Sequence, residues 1–426
     1  MTFSDNHPAP KKIPVAEIIS IGEELLIGQT VNTNAAWIAA QLNTIGIQVK
    51  KIIVITDDME EIINGIKTAC GESDIVLMTG GLGPTRDDIT KQALCRYFDT
   101  TLQMDHAVLS DITEFFRNRG LDMIERNSLQ AMVPKNATII RNPFGTAPGL
   151  WFNENEKILV AMPGVPFEMQ NMLTSTIIPE LSKSTGPHQI IHKTVLTTGI
   201  GESFLADKIS DWEDALPAAV SLAYLPSPGV VKLRLSCKGS HKKRIEETID
   251  RQIEKLQKII PQYIWGYDND KLEELLGRAL TARGMSIGTA ESCTGGYIAH
   301  RITSVPGSSA YFRGSVIAYD NLVKQELLSV GKETLDSNGA VSRPVVEAMA
   351  VNTRKLLHCD YALAVSGIAG PGGGTGDKPV GTVWIALASD DGLISRKFGF
   401  GDNRERNIIR AGITALWMLL KAVRRH

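Results

Sequence analysis

Residues 15–81 read VAEIISIGEELLIGQTVNTNAAWIAAQLNTIGIQVKKIIVITDDMEEIINGIKTACGESDIVLMTGG. Three apolar runs, VAEIISIG, IQVKKIIVIT and SDIVLMTGG, have strand length. The segments between them, NTNAAWIAAQLNTIG and DDMEEIINGIKTAC, repeat their apolar residues at helical period. Asn32 or Asn34, and Asp57 or Asp58, stand where they can cap those helices. This βαβαβ rhythm predicts a parallel sheet covered on both faces, with ligands gathering at the carboxyl ends of its strands. The loop after the third run, GGLGPTRDDITKQAL, lies at such an end. Its glycines expose backbone N–H groups, and Asp87 and Asp88 open the next helix. Carboxylates at a helix start complement its dipole with no further role. Beside a glycine-rich turn, two carboxylates equally suit a divalent cation that bridges phosphates. Glu23, Asn32 and Asn34 fall where the first strand ends, so they either line the site or, for the asparagines, cap a helix.

A second stretch carries different chemistry. Residues 287–299, IGTAESCTGGYIA, form an apolar run that stops at Ser292, Cys293 and Thr294, passes Gly295 and Gly296 and resumes as a helical pattern. A strand entering a tight turn leaves a hydroxyl or thiol uncovered at the mouth of the next helix, whose free N–H groups suit an oxyanion. Ser and Thr also cap helices without any chemistry. Downstream, SVIAYDNLVKQELL sets Tyr319 and Lys324 at the end of another strand-like run. The chain has eight histidines, none in a Ser-His-Asp pattern, so the bases on offer to Ser292 are a lysine amine and a tyrosine phenol. Lysine serves if burial or a cation lowers its pKa; the bland alternatives are a solvated lysine and a half-buried aromatic ring. Cys293 is the rival nucleophile, but neighbours on a turn point in different directions and a small buried cysteine is a common structural fate.

In a third stretch, YALAVSGIAGPGGGTGDKPVGTVWIALAS, a glycine-dense loop joins two apolar runs. Such backbone forms a nest of N–H groups for phosphate or carboxylate, or simply a long mobile hairpin. It is not a P-loop, because GK[ST] is missing and a strand follows. Between residues 186 and 262, GVVKLRLSCKG alternates Val231, Leu233 and Leu235 with Lys232, Arg234 and Ser236, as a half-exposed strand does.

With 426 residues, 43% of them hydrophobic, the chain exceeds one core and predicts two or three domains. A net charge of −2 gives no electrostatic argument for nucleic acid or an anionic membrane. The five cysteines, Cys70, Cys95, Cys237, Cys293 and Cys359, are scattered and lack CxxC spacing, which argues for a reducing cytoplasm and against structural zinc. The opening MTFSDNHPAPKK reads as a frayed tail, neither signal peptide nor anchor.

The residues around these motifs carry a family resemblance. TAESCTGG, AYDNLVK, GAVSRPVVEAMA and SGIAGPGGG with KPVGTVW, in that order over residues 271–425, resemble the nicotinamide mononucleotide amidohydrolase domain of the CinA family. The resemblance implies hydrolysis of the carboxamide of nicotinamide mononucleotide to nicotinic acid mononucleotide and ammonia. It makes Ser292 the nucleophile, assisted by Lys324 and Tyr319, with no cofactor. On that reading Cys293, Thr294, Gly295 and Gly296 offer oxyanion donors, and residues 366–374, among them Ser366, Gly367, Gly370 and Gly372, hold the phosphate with Arg404 or Arg406.

TGGLGPTRDDIT, with GEELLIGQTVNTN before it and NPFGTAPG and MPGVPFEM after it, resembles the molybdopterin-binding fold at the front of CinA proteins. Some members are ADP-ribose pyrophosphatases. That would make Asp87 and Asp88 ligands of a divalent metal, Gly80, Gly81 and Gly83 a phosphate cradle, and Glu23, Asn32 and Asn34 part of a nucleotide site. The FGTAPG and MPGVP turns would close the pocket or serve a dimer contact. The middle region resembles the KH-like connector of the family, yet GIGES lacks the basic GxxG loop of a nucleic-acid-binding KH module. The expectation is therefore a cytoplasmic α/β homodimer binding no nucleic acid or membrane: a three-layer αβα domain (13–183), a small α+β connector (186–262) and an α/β amidohydrolase domain (268–425). The alternative is a non-catalytic nucleotide- or molybdopterin-binding regulator linked to competence or DNA damage.

Overall fold

The computed structural model describes residues 14–184 and 189–425; the tail 1–12 and the domain bounds expected at 13 and 186 lie outside them. The chain forms two compact units, one reaching to residue 191 and including 237–247, the other holding 192–236 and the chain from 248 onward.

In the first unit, strands β1 (Val15–Ile21), β2 (Gln48–Ile55), β3 (Ile75–Thr79), β6 (Thr138–Ile140), β7 (Gly149–Glu154) and β8 (Lys157–Met162) form one sheet in the order β2-β1-β3-β8-β7-β6. Strands β4 (Leu102–Met104) and β5 (Met132–Pro134) pair separately as a short ribbon. β2, β1 and β3 are parallel, as the βαβαβ rhythm predicts, and β8 joins them parallel to β3. Side chains alternate between faces along each strand. Ile18 and Leu77 therefore pack with Ile38 and Leu42 of helix Thr33–Thr44, whereas Ile19, Val76 and Met78 meet Ile62 and Ile66 of helix Met59–Glu72. Asn32 and Asp58 are the caps: Asn32 accepts from the Ala35 N–H, and Asp58 from those of Glu60 and Glu61.

The expected all-parallel sheet gains an antiparallel edge. β7 returns into β8 through Asn155 and Glu156, both left-handed at φ 51° and 62°. Two left-handed residues are what a tight hairpin needs, but glutamate at the second is not a turn signal, so the reversal was hidden. A second correction concerns Asp87 and Asp88. The next helix begins only at Thr90, and neither carboxylate lies in its first turn. Asp88 instead folds back to accept from the Thr85 N–H at 2.8 Å and from the Thr85 hydroxyl.

In the connector, β9 (Gln189–Thr197), β10 (Val220–Ser227), β11 (Val230–Gly239) and β12 (Ile264–Tyr267) form a sheet in the order β10-β11-β9-β12. Val231, Leu233 and Leu235 are buried while Lys232 and Arg234 face solvent, as the alternation predicts. Within the second unit, Leu196 and Trp265 of the connector share a core with Leu276, Ile287 and Leu416.

The carboxy-terminal sheet has the order β14-β13-β15-β16-β17, from β13 (Ile287–Glu291), β14 (Phe312–Ile317), β15 (Tyr361–Gly367), β16 (Thr382–Ser389) and β17 (Gly392–Gly399). β13 is parallel to β14 and β15; β16 and β17 are antiparallel additions. Val345, Val346 and Met349 of helix Arg343–Leu357 cover one face, and helices Leu272–Arg283 and Arg404–Arg425 the other.

Candidate active site

Parallel register brings the carboxy-terminal motifs together. Glu291 pairs with Ile317 of β14 and with Val365 of β15, and the Ser292 N–H donates to the Val365 carbonyl at 3.0 Å. Ser292 and the Ala318–Lys324 segment therefore follow their strands at the carboxyl edge, beside Ser366 among the last residues of β15.

Lys324 is the first departure from the bland reading. It is not solvated: the residue is 1% exposed. Its amine donates to the carbonyls of Ala318 at 2.8 Å and Tyr319 at 3.1 Å, with Asp320 O at 3.5 Å. Burial lowers its pKa, opposed by Asp320 and Cys293. These three carbonyls hold the amine at the strand end, while burial favours its neutral form. Tyr319 departs the other way, being 58% exposed rather than half-buried. Arg404 donates to the Tyr319 phenol oxygen at 2.9 Å and to the Gly370 carbonyl at 2.8 Å, tying the phenol to the glycine loop. Among the described residues, Ser292 Oγ makes no hydrogen bond to Lys324 or Tyr319; catalytic contacts of this kind often tighten only around substrate.

Cys293 is buried in the core cluster, and burial pushes its thiol up to about 12. A thiol held protonated is a poor nucleophile at neutral pH. Cys293 should therefore stay unalkylated by iodoacetamide at pH 8 in the folded chain and react only on denaturation, as read by mass spectrometry of the tryptic peptides. Rapid labelling of the native chain would overturn this assignment.

The phosphate-binding expectations divide. Ser366 is fully buried and its hydroxyl donates to the Ala340 carbonyl at 2.7 Å, so it is not aimed at a ligand. Gly367 serves packing, since a Cβ there would stand 2.7 Å from Val383 and 3.0 Å from Cys293 Sγ. The N–H groups of Gly370, Gly372, Gly373 and Gly374 have no partner among the described residues, as a nest requires. Lys378 Nζ tethers the loop to the Asn338 carbonyl at 2.7 Å. Arg404 and Arg406 lie in the first turn of the final helix, where Asn403 accepts from the Arg406 N–H. The Arg406 side chain is exposed.

The front unit has its own cavity of about 430 Å³ at the ends of β1, β3 and β8, lined by Gly80, Gly81, Gly83, Asp87, Asp88, Thr146 and Gly164 among others. Both the FGTAPG and MPGVP turns contribute to its wall. Glu23 does not line it; its neighbour Glu24 does, with Asp57, Gln130 and Glu168. Of these, only Asp57 belongs to a segment that the periodicity singled out, and there as a cap. Burial and the neighbouring carboxylates of Glu24, Asp87 and Asp88 raise Asp57, against a hydrogen bond from the Glu23 N–H. Asn34 ties Gly164 to this edge, donating to its carbonyl at 2.7 Å. Lys91, which the sequence did not single out, is buried and donates to the Gln130 carbonyl at 2.7 Å; burial pushes it down to about 8. Among the described residues no three His, Cys, Asp or Glu side chains gather as a metal cluster. A divalent ion on Asp87 and Asp88 would therefore draw most of its shell from water and phosphate oxygens, which magnesium does readily.

Gly81 has a φ of +66°, and a Cβ on it would meet Thr90 Oγ1 at 2.2 Å. Gly81→Ala should destabilise the front unit by about 1–3 kcal/mol, seen as an earlier urea transition; an unchanged midpoint would contradict the packing.

Fold and sites thus define an α/β protein with two strand-end sites, one bearing a serine near a buried lysine. Comparison with known proteins gives the family. Residues 17–183 match the "Probable molybdopterin binding domain", 192–266 the "Damage-inducible protein CinA KH domain" and 269–423 the "CinA C-terminal domain". A CinA-like protein of Cytophaga hutchinsonii is 44% identical over 411 residues, covering 96% of this chain and 97% of that protein. One of Flavobacterium psychrophilum is 43% identical over 412 residues, covering 96% and 98%. The crystal structure of a competence/damage inducible protein, CihA, from Agrobacterium tumefaciens is 40% identical, covers 36% of this chain and 95% of its own, and has a TM-score of 0.35. The chain belongs to the CinA family. Among the described residues no helix is long and apolar enough to cross a membrane.

Proposed function

We propose that the carboxy-terminal site hydrolyses the carboxamide of nicotinamide mononucleotide, giving nicotinic acid mononucleotide and ammonia. The observation that carries this reading is the buried Lys324 amine, anchored by two carbonyls at the strand end beside the one that presents Ser292. Ser292 Oγ attacks the amide carbon as Lys324, directly or through Tyr319, accepts the hydroxyl proton. The C–N bond of the tetrahedral intermediate then breaks, and that proton passes to nitrogen so that ammonia leaves. Water, deprotonated by the same amine, cleaves the Ser292 ester and releases the acid. The unpartnered N–H groups of the glycine loop suit the ribose phosphate.

The test is ammonia release from nicotinamide mononucleotide by the full chain, with and without chelator. The reading expects equal release in both; no release would overturn it. A second reading concerns the front unit. Its glycine turn and carboxylate-lined cavity suit a metal-dependent ADP-ribose pyrophosphatase, in which Asp87 and Asp88 would hold a divalent ion that neutralises the pyrophosphate. Activity on ADP-ribose that chelator abolishes and magnesium restores is the expected outcome there.

A further inference from the structure

Glu291 was not singled out by its sequence, yet it is the residue on which the serine turn is built. It ends β13, directly before Ser292, and is 0% exposed. Its carboxylate accepts three backbone N–H groups: those of Gly296 at 3.1 Å and Ile298 at 3.0 Å on one oxygen, and that of Ala299 at 2.8 Å on the other. These are donors that helix Tyr297–Thr303 would otherwise leave open. The remaining bonds close the turn, with Gly295 N–H on the Ser292 carbonyl and Tyr297 N–H on the Thr294 carbonyl. Gly295 and Gly296 make the reversal at φ 59° and 98°.

The consequence for the oxyanion is specific. Of the four residues expected to supply donors, Gly295 and Gly296 have spent their N–H groups, on Ser292 and Glu291. Only the N–H groups of Cys293 and Thr294 stand without a partner among the described residues. A carboxylate at the helix mouth would also repel an oxyanion placed there. We infer that Glu291 is a positioning residue: it seats the Ser292 turn, occupies the helix donors and confines oxyanion stabilisation to the N–H groups of Cys293 and Thr294. The inference rests on the reading of Ser292 as nucleophile.

The test is Glu291→Gln in the full chain. Glutamine keeps the shape but turns an NH2 group toward N–H donors, so at least one of the three bonds must be lost. Because the proposed phosphate donors lie on another loop, kcat for ammonia release should fall about 10²-fold, the loss typical of one misplaced oxyanion donor, while KM stays within about threefold. Hydrogen–deuterium exchange should quicken in the peptide spanning residues 295–299 and nowhere else. If the glutamine variant does not fold, Glu291→Asp keeps the charge but falls a methylene short, and the same split is expected.

Faster exchange with unchanged kcat would make Glu291 a structural cap only and overturn the inference. Unchanged exchange would overturn it at an earlier step. If the wild type releases no ammonia from nicotinamide mononucleotide, the substrate reading fails, and labelling of Ser292 by a fluorophosphonate decides separately. Wild-type labelling that slows in Glu291→Gln upholds the positioning role. Labelling equal in both, or absent from the wild type, rejects it.

Discussion

Ser292→Ala is expected to reduce ammonia release from nicotinamide mononucleotide by about 10⁴-fold or more, the scale of loss when a covalent nucleophile is removed from an intact site. Fold and affinity should be nearly unchanged. Ser292 is small and 9% exposed, its backbone N–H holds the Val365 carbonyl whatever the side chain, and its hydroxyl makes no hydrogen bond among the described residues. Substrate titration of the variant should therefore still saturate. Cys293→Ala is the control: the thiol packs into the core against Gly367 and is held protonated, so its removal should lower activity only a few-fold, through packing. A Cys293→Ala variant as inactive as Ser292→Ala would exchange the two roles.

Lys324→Met is expected to cost about 10³-fold or more in kcat, because among the described residues no histidine hydrogen-bonds to Ser292, Lys324 or Tyr319, and the exposed Tyr319 phenol already accepts from Arg404. Methionine keeps the aliphatic volume of a residue that is 1% exposed. The loss then reports on the amine and not on a cavity, although the Ala318 and Tyr319 carbonyls lose their donor and some stability goes with them. The pH dependence follows with a definite sign. Burial disfavours the ammonium form, so the Lys324 pKa lies below its ordinary value. On the proposed mechanism the neutral amine is the competent form. Activity should thus rise with pH through that lowered pKa and fall away on the acid side. Lys324→Arg, charged at every accessible pH, should be as inactive as the methionine variant. A wild-type profile flat from pH 5 to 10 would count against a lysine base.

Much of this was legible before any coordinates, for reasons that can be named. Periodicity marked the parallel strands and the helices Thr33–Thr44 and Met59–Glu72, because both faces of a parallel sheet must be covered by apolar stripes. Ser292 and Lys324 were visible because each follows a strand-like run, and parallel strands end at one edge. The β7–β8 hairpin was not, since its turn residues Asn155 and Glu156 are left-handed without a glycine to announce it. Glu291 escaped for a different reason. A carboxylate inside an apolar strand looks like an interruption, and only the path of the turn shows that three N–H groups converge on it. The burial of Lys324 was equally hidden: local sequence describes a helix residue, whereas its partners are the carbonyls of the strand end before it. In the front unit, Gln130 enters the cavity from a segment where no local pattern sets it apart, and Glu168 from the MPGVPFEM motif, whose turn and not whose carboxylate the sequence marks.

The most direct measurement is the trapping of the acyl-enzyme. Full-length chain is mixed with nicotinamide mononucleotide, quenched in acid within a turnover and digested with trypsin. The peptide spanning residues 284–301, which contains both Ser292 and Cys293, is then fragmented in the mass spectrometer. The account predicts that this peptide carries the mass of the nicotinic acid mononucleotide acyl group, that fragment ions assign it to Ser292, and that the adduct is absent from Ser292→Ala. Ammonia release accompanied by an adduct on Cys293, or an undiminished adduct in Ser292→Ala, would contradict it.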